Sequence, residues 1–331
     1  MPVVTLARHA MATRFEVVLH GDNTASLRAA GEAALDEIEG LAAQMSLYNP
    51  ASEISRINAR AAAGPVRVEP TLFRLLQRAQ KLWHESDGTF DITIAPLVRC
   101  WGFMGGTGQL PAPGDIAAAR AVTGMHLVTL DDSNFTIQFA NPGVMLDLGS
   151  IGKGHAIEQA VDLLLEAGVE SALIHGGTSS IYALGAPPGE AAWKVAIEHP
   201  ASSDSSRPGA LFTGGPPPTE SLLSVVPLKN ESLSVSAVWG KAFITNGKIH
   251  GHVLDPRSGE PVTGALLAAV ALPSATETDA LSTMLLALGE PGLDRLGELR
   301  PGARSLVLLP PDATGEFPVA RRGLSAPNRG L

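Results

Sequence analysis

Apolar and polar residues alternate from Thr13 to His20, which places Phe15, Val17 and Leu19 on one face of a predicted strand. Gly21, Asp22 and Asn23 then turn the chain, and the period changes. Leu35, Ile38, Leu41, Ala42 and Met45 fall at helical spacing and make one apolar stripe. The stretch from Thr71 to Glu85 repeats that period with Leu72, Leu75, Leu76, Ala79, Leu82 and Trp83. A third helix is predicted after Gly152, with Ile157, Ala160, Val161 and Leu164 inward and Gly168 placed to end it. The second half carries short apolar runs at Ala172–Ile174, Ile181–Leu184, Trp193–Ile197, Ser232–Val238 and Leu266–Leu272, which predict strands. A last helix is predicted from Thr276 to Leu288, stopped by Gly289. Ser305–Leu309 and Phe317–Ala320 flank the turn-rich Pro310–Glu316 as the arms of a hairpin.

Helices and strands mix without strict βαβ alternation, so the pattern predicts an α+β fold with a mainly antiparallel sheet packed by helices. No internal repeat is present. Residues 105–113 and 201–218 are rich in Gly, Pro and small polar residues and read as surface loops, the second long and flexible. The chain has 331 residues, 45 % hydrophobic and 17 % charged, which predicts one folded domain over 1–331, in one or two lobes. A net charge of −9 lacks the basic footprint of a nucleic-acid binder. Cys100 is the one cysteine, so neither an intrachain disulfide nor a cysteine zinc cluster can form. The opening MPVVTLARHAMATRF has no apolar signal core and no lipoprotein-type cysteine, and no run is long enough to span a bilayer. The expectation is a soluble, cytoplasmic protein without membrane insertion.

Three constellations carry candidate chemistry. In Asp147-Leu148-Gly149-Ser150-Ile151-Gly152-Lys153-Gly154 a strand runs into a glycine turn and a helix starts. Backbone N–H groups at such a start suit an anion and Lys153 adds charge, although a plain tight turn has the same residues. The glycine spacing is too short for a Walker loop. Asp279 and Thr283 lie one turn apart on one helix face. A carboxylate and a hydroxyl suit a hard cation such as Mg²⁺, and they equally suit an exposed helix start with its caps. In His250-Gly251-His252 followed by Val253-Leu254-Asp255-Pro256-Arg257-Ser258-Gly259, His252 ends a strand before a turn, where an imidazole can take a proton from a hydroxyl. A zinc pair with His250 and an ordinary edge-strand histidine are the other readings. Tyr48 near Ser46, and Phe90 between Thr89 and Asp91, place aromatics beside polar groups, as a flavin or adenine plane needs and as core packed on a turn also shows.

These segments, in this order, resemble the FAD:protein FMN transferases of the ApbE family over nearly the whole chain. The match runs through Met11-Ala12-Thr13, Ser46-Leu47-Tyr48, Gly88-Thr89-Phe90-Asp91, the Asp147–Gly154 turn, Gly176-Gly177, Trp193–Glu198, the His252–Gly259 segment and Asp279–Thr283. The resemblance implies a T-fold-like α+β core, Mg²⁺ as cofactor and FAD as substrate. It implies transfer of FMN to a Thr or Ser hydroxyl of an acceptor protein, with release of AMP. It implies that Asp279, Thr283 and the Ser150 carbonyl hold the metal. Met11, Tyr48, Thr89, Phe90, Asp91, Asp147, Lys153 and Val253 would line the FAD site, and His252 would be the base. Two departures stand out. The family's usual Thr-Ser-Gly-Asp-Tyr-Glu-Arg-like run is Val235-Ser236-Ala237-Val238-Trp239-Gly240-Lys241 here, and Thr178-Ser179-Ser180 replaces the acid that usually follows Gly-Gly. Hydrolysis of the FAD pyrophosphate, and flavin binding without turnover, are the alternative functions.

Overall fold

The computed structural model describes residues 1–199, 222–245 and 248–326. The predicted flexible loop at 201–218 lies outside the described residues. Strands β1 (Val3–Ala10) and β2 (Thr13–His20) open the chain, followed by helices α1 (Thr24–Met45) and α2 (Glu53–Arg60). The short β3 (Val66–Arg67) precedes α3 (Pro70–Glu85), α4 (Ala95–Cys100), α5 (Pro113–Arg120), β4 (Val128–Asp131) and β5 (Thr136–Phe139). Next come α6 (Gly152–Glu166), β6 (Ser171–Gly176), β7 (Ser180–Leu184), β8 (Trp193–Glu198), β9 (Leu222–Leu228) and β10 (Glu231–Ala237). The remainder is β11 (Ala242–Thr245), β12 (Lys248–Gly251), β13 (Leu267–Leu272), α7 (Ala275–Leu288), α8 (Gly292–Leu299), β14 (Arg304–Leu308) and β15 (Val319–Arg322).

Eight strands form one sheet in the order β1-β2-β6-β7-β10-β13-β14-β15, every neighbour antiparallel. This is an α+β fold. Strand β13 shows how the sheet is covered. Its Ala268, Val270 and Leu272 join the core built with α1, α6 and α7. Its Leu267, Ala269 and Ala271 meet Val195, Ile197, Leu223 and Val226 of the β8–β9 pair on the opposite face. A strand covered on both faces reads as an unbroken apolar run, which is why its sequence shows no alternation.

The predicted stripes bury themselves as their periods require. Phe15, Val17 and Leu19 of β2 pack under Leu35 and Ile38 of α1, and Ile157, Ala160, Val161 and Leu164 of α6 join the same core. Asn23 caps α1 by accepting from the N–H groups of Ala25 and Ser26. β1 escaped the sequence pattern because it is an edge strand. Its Arg8, on the face that carries Val4 and Leu6, reaches across to Glu32, Asp36 and Glu39 of α1, which interrupts the apolar alternation. Among the described residues no helix is long and apolar enough to cross a membrane.

His155 of α6 is buried, and burial pulls its imidazole down to about 4 from an ordinary 6.5, Arg78 adding to the effect against Glu158 and Glu69. In the unfolded chain the same ring titrates at its ordinary value. The unfolded state therefore binds the extra proton between those values, and stability present above pH 6.5 is lost as pH falls toward 4. The shift corresponds to on the order of 3 kcal/mol. Urea midpoints measured across that window should show this slope in the wild type and a reduced slope in His155→Met.

Candidate functional site

The start of α6 lies against the start of α7. No side chain at Ile151 caps α6. The cap comes from α7, where Asp279 Oδ2 accepts the N–H of Gly154 at 2.9 Å. The approach needs glycine: a Cβ at Gly154 would lie 2.1 Å from the Ala275 carbonyl oxygen. Asp279 is 5 % exposed. Its Oδ1 accepts from Ser180 Oγ at 3.4 Å and lies 3.8 Å from Lys153 Nζ, which also donates to the Gly149 carbonyl at 3.4 Å. Thr283 Oγ1, one turn on, donates to the Asp279 carbonyl at 3.4 Å and sits 3.3 Å from Ser236 Oγ. Ser150 is half-buried in the turn just ahead of α6. The fold therefore brings Lys153, Asp279 and Thr283 together from two helices.

The start of α7 is fixed on every side. Ser274 caps it by accepting from the Glu277 N–H. Glu158 of α6 accepts from Thr276 N–H at 2.9 Å and from Ser274 Oγ at 2.7 Å, and pairs with Arg78 of α3 at 2.6 Å. Arg300 bridges Glu277 and Glu85 at 2.8 Å each. A ladder of hydroxyls, missed in the sequence, ties α7 to the sheet. Ser232 and Ser234 of β10 meet Thr278 Oγ1 at 2.9 and 3.1 Å, and Ser236 meets Ser282 at 2.8 Å. The available signal was Ser-x-Ser-x-Ser at strand period, with Thr278, Ser282 and Thr283 on a helix as its counterpart.

The candidate flavin residues divide into groups. Asp147 Oδ1 accepts the Gly149 N–H at 2.8 Å. Burial pushes its carboxyl up, against that bond and the charge of Lys153. Tyr48 is 66 % exposed, and its phenol is raised by partial desolvation and then by the charge of Asp147. Asp91 accepts from Thr93 N–H and Oγ1 at 2.7 and 2.6 Å, and burial raises its carboxyl. Phe90 lies wholly in the main core, and Val253 and Met11 pack against it. The Thr89 hydroxyl is buried with no hydrogen-bond partner among the described residues. Met11 and Ala12 form the β1–β2 turn at φ of +49° and +58°, a conformation that costs non-glycine residues about 1–2 kcal/mol each. Two successive residues at positive φ are what a two-residue hairpin loop uses to match the twist of its strands. A cavity of about 460 Å³ opens at Gly88 and Asp91, bordered by Trp83, His126 and Arg257. Lys153, Asp279, Thr283 and His252 do not line it.

The two histidines have different surroundings. His250 is buried, stacked on Phe243 at 5.0 Å, with Nε2 3.0 Å from Thr245 Oγ1. His252 is half-buried just past β12, with Nδ1 3.1 Å from the Lys241 carbonyl. Burial lowers its imidazole below the ordinary value. The bond to Lys241 opposes this, and the charges of Lys241 and Lys153 add to it. Among the described residues no group of three His, Cys, Asp or Glu side chains is placed to hold a metal, so the histidine pair gains no third ligand of that kind.

An antiparallel sheet backed by helices, with a carboxylate, a lysine and a hydroxyl gathered where two helix starts meet, defines an α+β protein with a polar junction between α6 and α7. The ApbE family model matches residues 11–306, and the chain belongs to that family. It is 29 % identical over 298 residues to the FAD:protein FMN transferase of Haemophilus influenzae, covering 87 % of this chain and 81 % of that one. It is 30 % identical to one from Klebsiella pneumoniae, with 72 % and 69 % covered. The ApbE protein of Thermotoga maritima superposes with a TM-score of 0.83 at 25 % identity, covering 97 % of each chain. The flavinyl transferase ApbE of Pseudomonas stutzeri in its apo form gives 0.81 at 28 %, covering 97 % of this chain and 95 % of that one.

The hydroxyl ladder predicts a measurable stability term. Thr278→Val keeps the side-chain shape but leaves the Ser234 hydroxyl without its acceptor. Stranding a buried donor costs about 1–3 kcal/mol, so the urea midpoint should fall accordingly. An unchanged midpoint would mean that the ladder contributes nothing.

Proposed function

We propose that the chain is an Mg²⁺-dependent transferase that moves FMN from FAD to a Thr or Ser hydroxyl of an acceptor protein and releases AMP. The observation that carries the reading is the convergence of Asp279, Thr283 and Lys153 where α6 meets α7. The donor set fits a hard cation. One Asp279 oxygen is engaged by the Gly154 N–H, and the other keeps lone pairs beyond its long bond from Ser180. Asp279, the Thr283 hydroxyl and the Ser150 carbonyl would hold Mg²⁺, leaving it open to phosphate oxygens and water. When bound, the ion supplies charge neutralisation at the pyrophosphate.

The chain's own residues account for the rest. Lys153 and the N–H groups at the start of α6 attract the phosphates. Tyr48, exposed and within the electrostatic influence of Asp147, offers a ring face to the flavin. The Nε2 of His252 takes the proton of the acceptor hydroxyl as its oxygen bonds to the FMN phosphorus. The bond from that phosphorus to the AMP oxygen breaks. The lowered imidazole keeps His252 neutral, and so competent as a base, at pH 7. The test is incubation with FAD and Mg²⁺, with and without a candidate acceptor protein. AMP with a matching mass gain on the acceptor supports transfer. AMP with free FMN means hydrolysis, and neither means binding alone.

Asp279 has two duties that substitution can separate. Asp279→Asn keeps an oxygen for the Gly154 N–H and removes the charge. It should unfold within about 1 kcal/mol of wild type yet lose Mg²⁺-dependent AMP release. Asp279→Ala should lose both activity and the cap. Full activity of Asp279→Asn at unchanged Mg²⁺ would remove the metal assignment.

The rate of transfer should be level above pH 7 and fall as pH drops through the lowered His252 value, below 6.5. His252→Ala should abolish that acid limb and cut turnover by about 10²–10⁴, with FAD affinity near normal by titration. A variant that keeps the acid limb would show that another group is the base.

A further inference from the structure

We propose that Gly240 and the backbone carbonyl of Lys241 form a positioning element that holds His252 as its Nδ1–H tautomer, leaving Nε2 as the proton acceptor. The inference rests on reading His252 as the base and adds what sets its orientation. The Lys241 carbonyl accepts twice, from the His252 backbone N–H at 3.0 Å and from ring Nδ1 at 3.1 Å. A carbonyl oxygen can only accept, so Nδ1 carries the hydrogen of the neutral ring and Nε2 carries the lone pair. An imidazole free in water favours the opposite tautomer. The carbonyl therefore selects the form that a base acting through Nε2 requires.

The geometry has an identifiable source. Ala242 pairs with Gly251 and Phe243 with His250 in the β11–β12 ribbon, so Lys241 and His252 are the next pair outward. Gly240, just before Lys241, lies at φ +143°, which L side chains rarely adopt, so a side chain there strains the backbone that enters Lys241. A Cβ at Gly240 would stand 3.4 Å from His252 Cε1, in van der Waals contact with the imidazole. Phe103 meets the ring edge-on at 6.4 Å. The ring is thus bounded by a backbone without a side chain, a carbonyl and an aromatic edge. The charges acting on it come from Lys241 on its own ribbon and Lys153 on α6.

The test uses the full chain, labelled with ¹⁵N, in long-range proton–nitrogen spectra above pH 7.5 without FAD or acceptor. The His252 signals are assigned by their loss in His252→Ala. The expected wild-type pattern is a protonated Nδ1 and an unprotonated Nε2. Gly240→Ala should mix the tautomers and lower kcat about tenfold, short of the full loss of a general base, with KM for FAD within twofold. A wild-type ring protonated at Nε2 overturns the proposal. So does a Gly240→Ala protein with unchanged tautomer and unchanged kcat. Should Gly240→Ala fail to fold, the wild-type spectrum still decides. Because that spectrum is taken without substrates, absence of flavin transfer would remove the proposed function and leave the tautomer result standing.

Discussion

The hydrogen bond from the Gly154 N–H to Asp279 organises the site around it. It exists because Gly154 has no side chain and the start of α7 can therefore rest against the start of α6. Each helix start presents unpaired N–H groups and a partial positive charge. Bringing two of them together makes a place where anionic groups are stabilised, and the protein puts its own carboxylate there first. Lys153 and Thr283 then follow from helical geometry: one precedes Gly154 and the other is a turn beyond Asp279.

Such a contact requires that α7 neither slide nor rotate, and the interface beneath it is built for that. Apolar packing alone tolerates small rotations because dispersion has little direction. Hydrogen bonds do not, and in the low dielectric of the core each mismatched hydroxyl is costly. The serines of β10 and the hydroxyls of α7 index the helix against the sheet, while Glu158, Arg78 and Arg300 hold its end from the other side. Ser180 belongs to the same arrangement. Its hydroxyl donates to Asp279 Oδ1 at 3.4 Å.

His252 is supported differently. It follows the two-stranded β11–β12 ribbon, whose aromatic neighbours Trp101, Phe103 and Phe243 sit in or against a cluster separate from the main core. The residues proposed for the metal thus stand on packed helices, and the proposed base stands on a ribbon held by rings and one carbonyl. The proposed reaction, which brings a bulky dinucleotide and a protein hydroxyl to one phosphorus, has to align these two supports.

Much of this was legible in the chain itself. The period-2 run at Thr13–His20 and the helical stripes of α1, α3, α6 and α7 are local properties, since side-chain direction along a strand or helix depends only on position. The pairing of Asp279 with Thr283 followed from the same rule, as did the glycine turn ahead of Lys153. The tertiary structure decided what no local rule reaches. It set Gly154 against Ala275 across 120 intervening positions of chain, brought Tyr48 within the electrostatic influence of Asp147, and turned three ordinary-looking serines of β10 into the index of α7. It also separated His250 from His252, one stacked in an aromatic cluster and the other bonded to a carbonyl, although the strand period makes them equivalent. Sequence patterns report how a residue relates to its own element, whereas a site is made where elements meet, and the energy of that meeting belongs to pairs of residues that the chain keeps far apart.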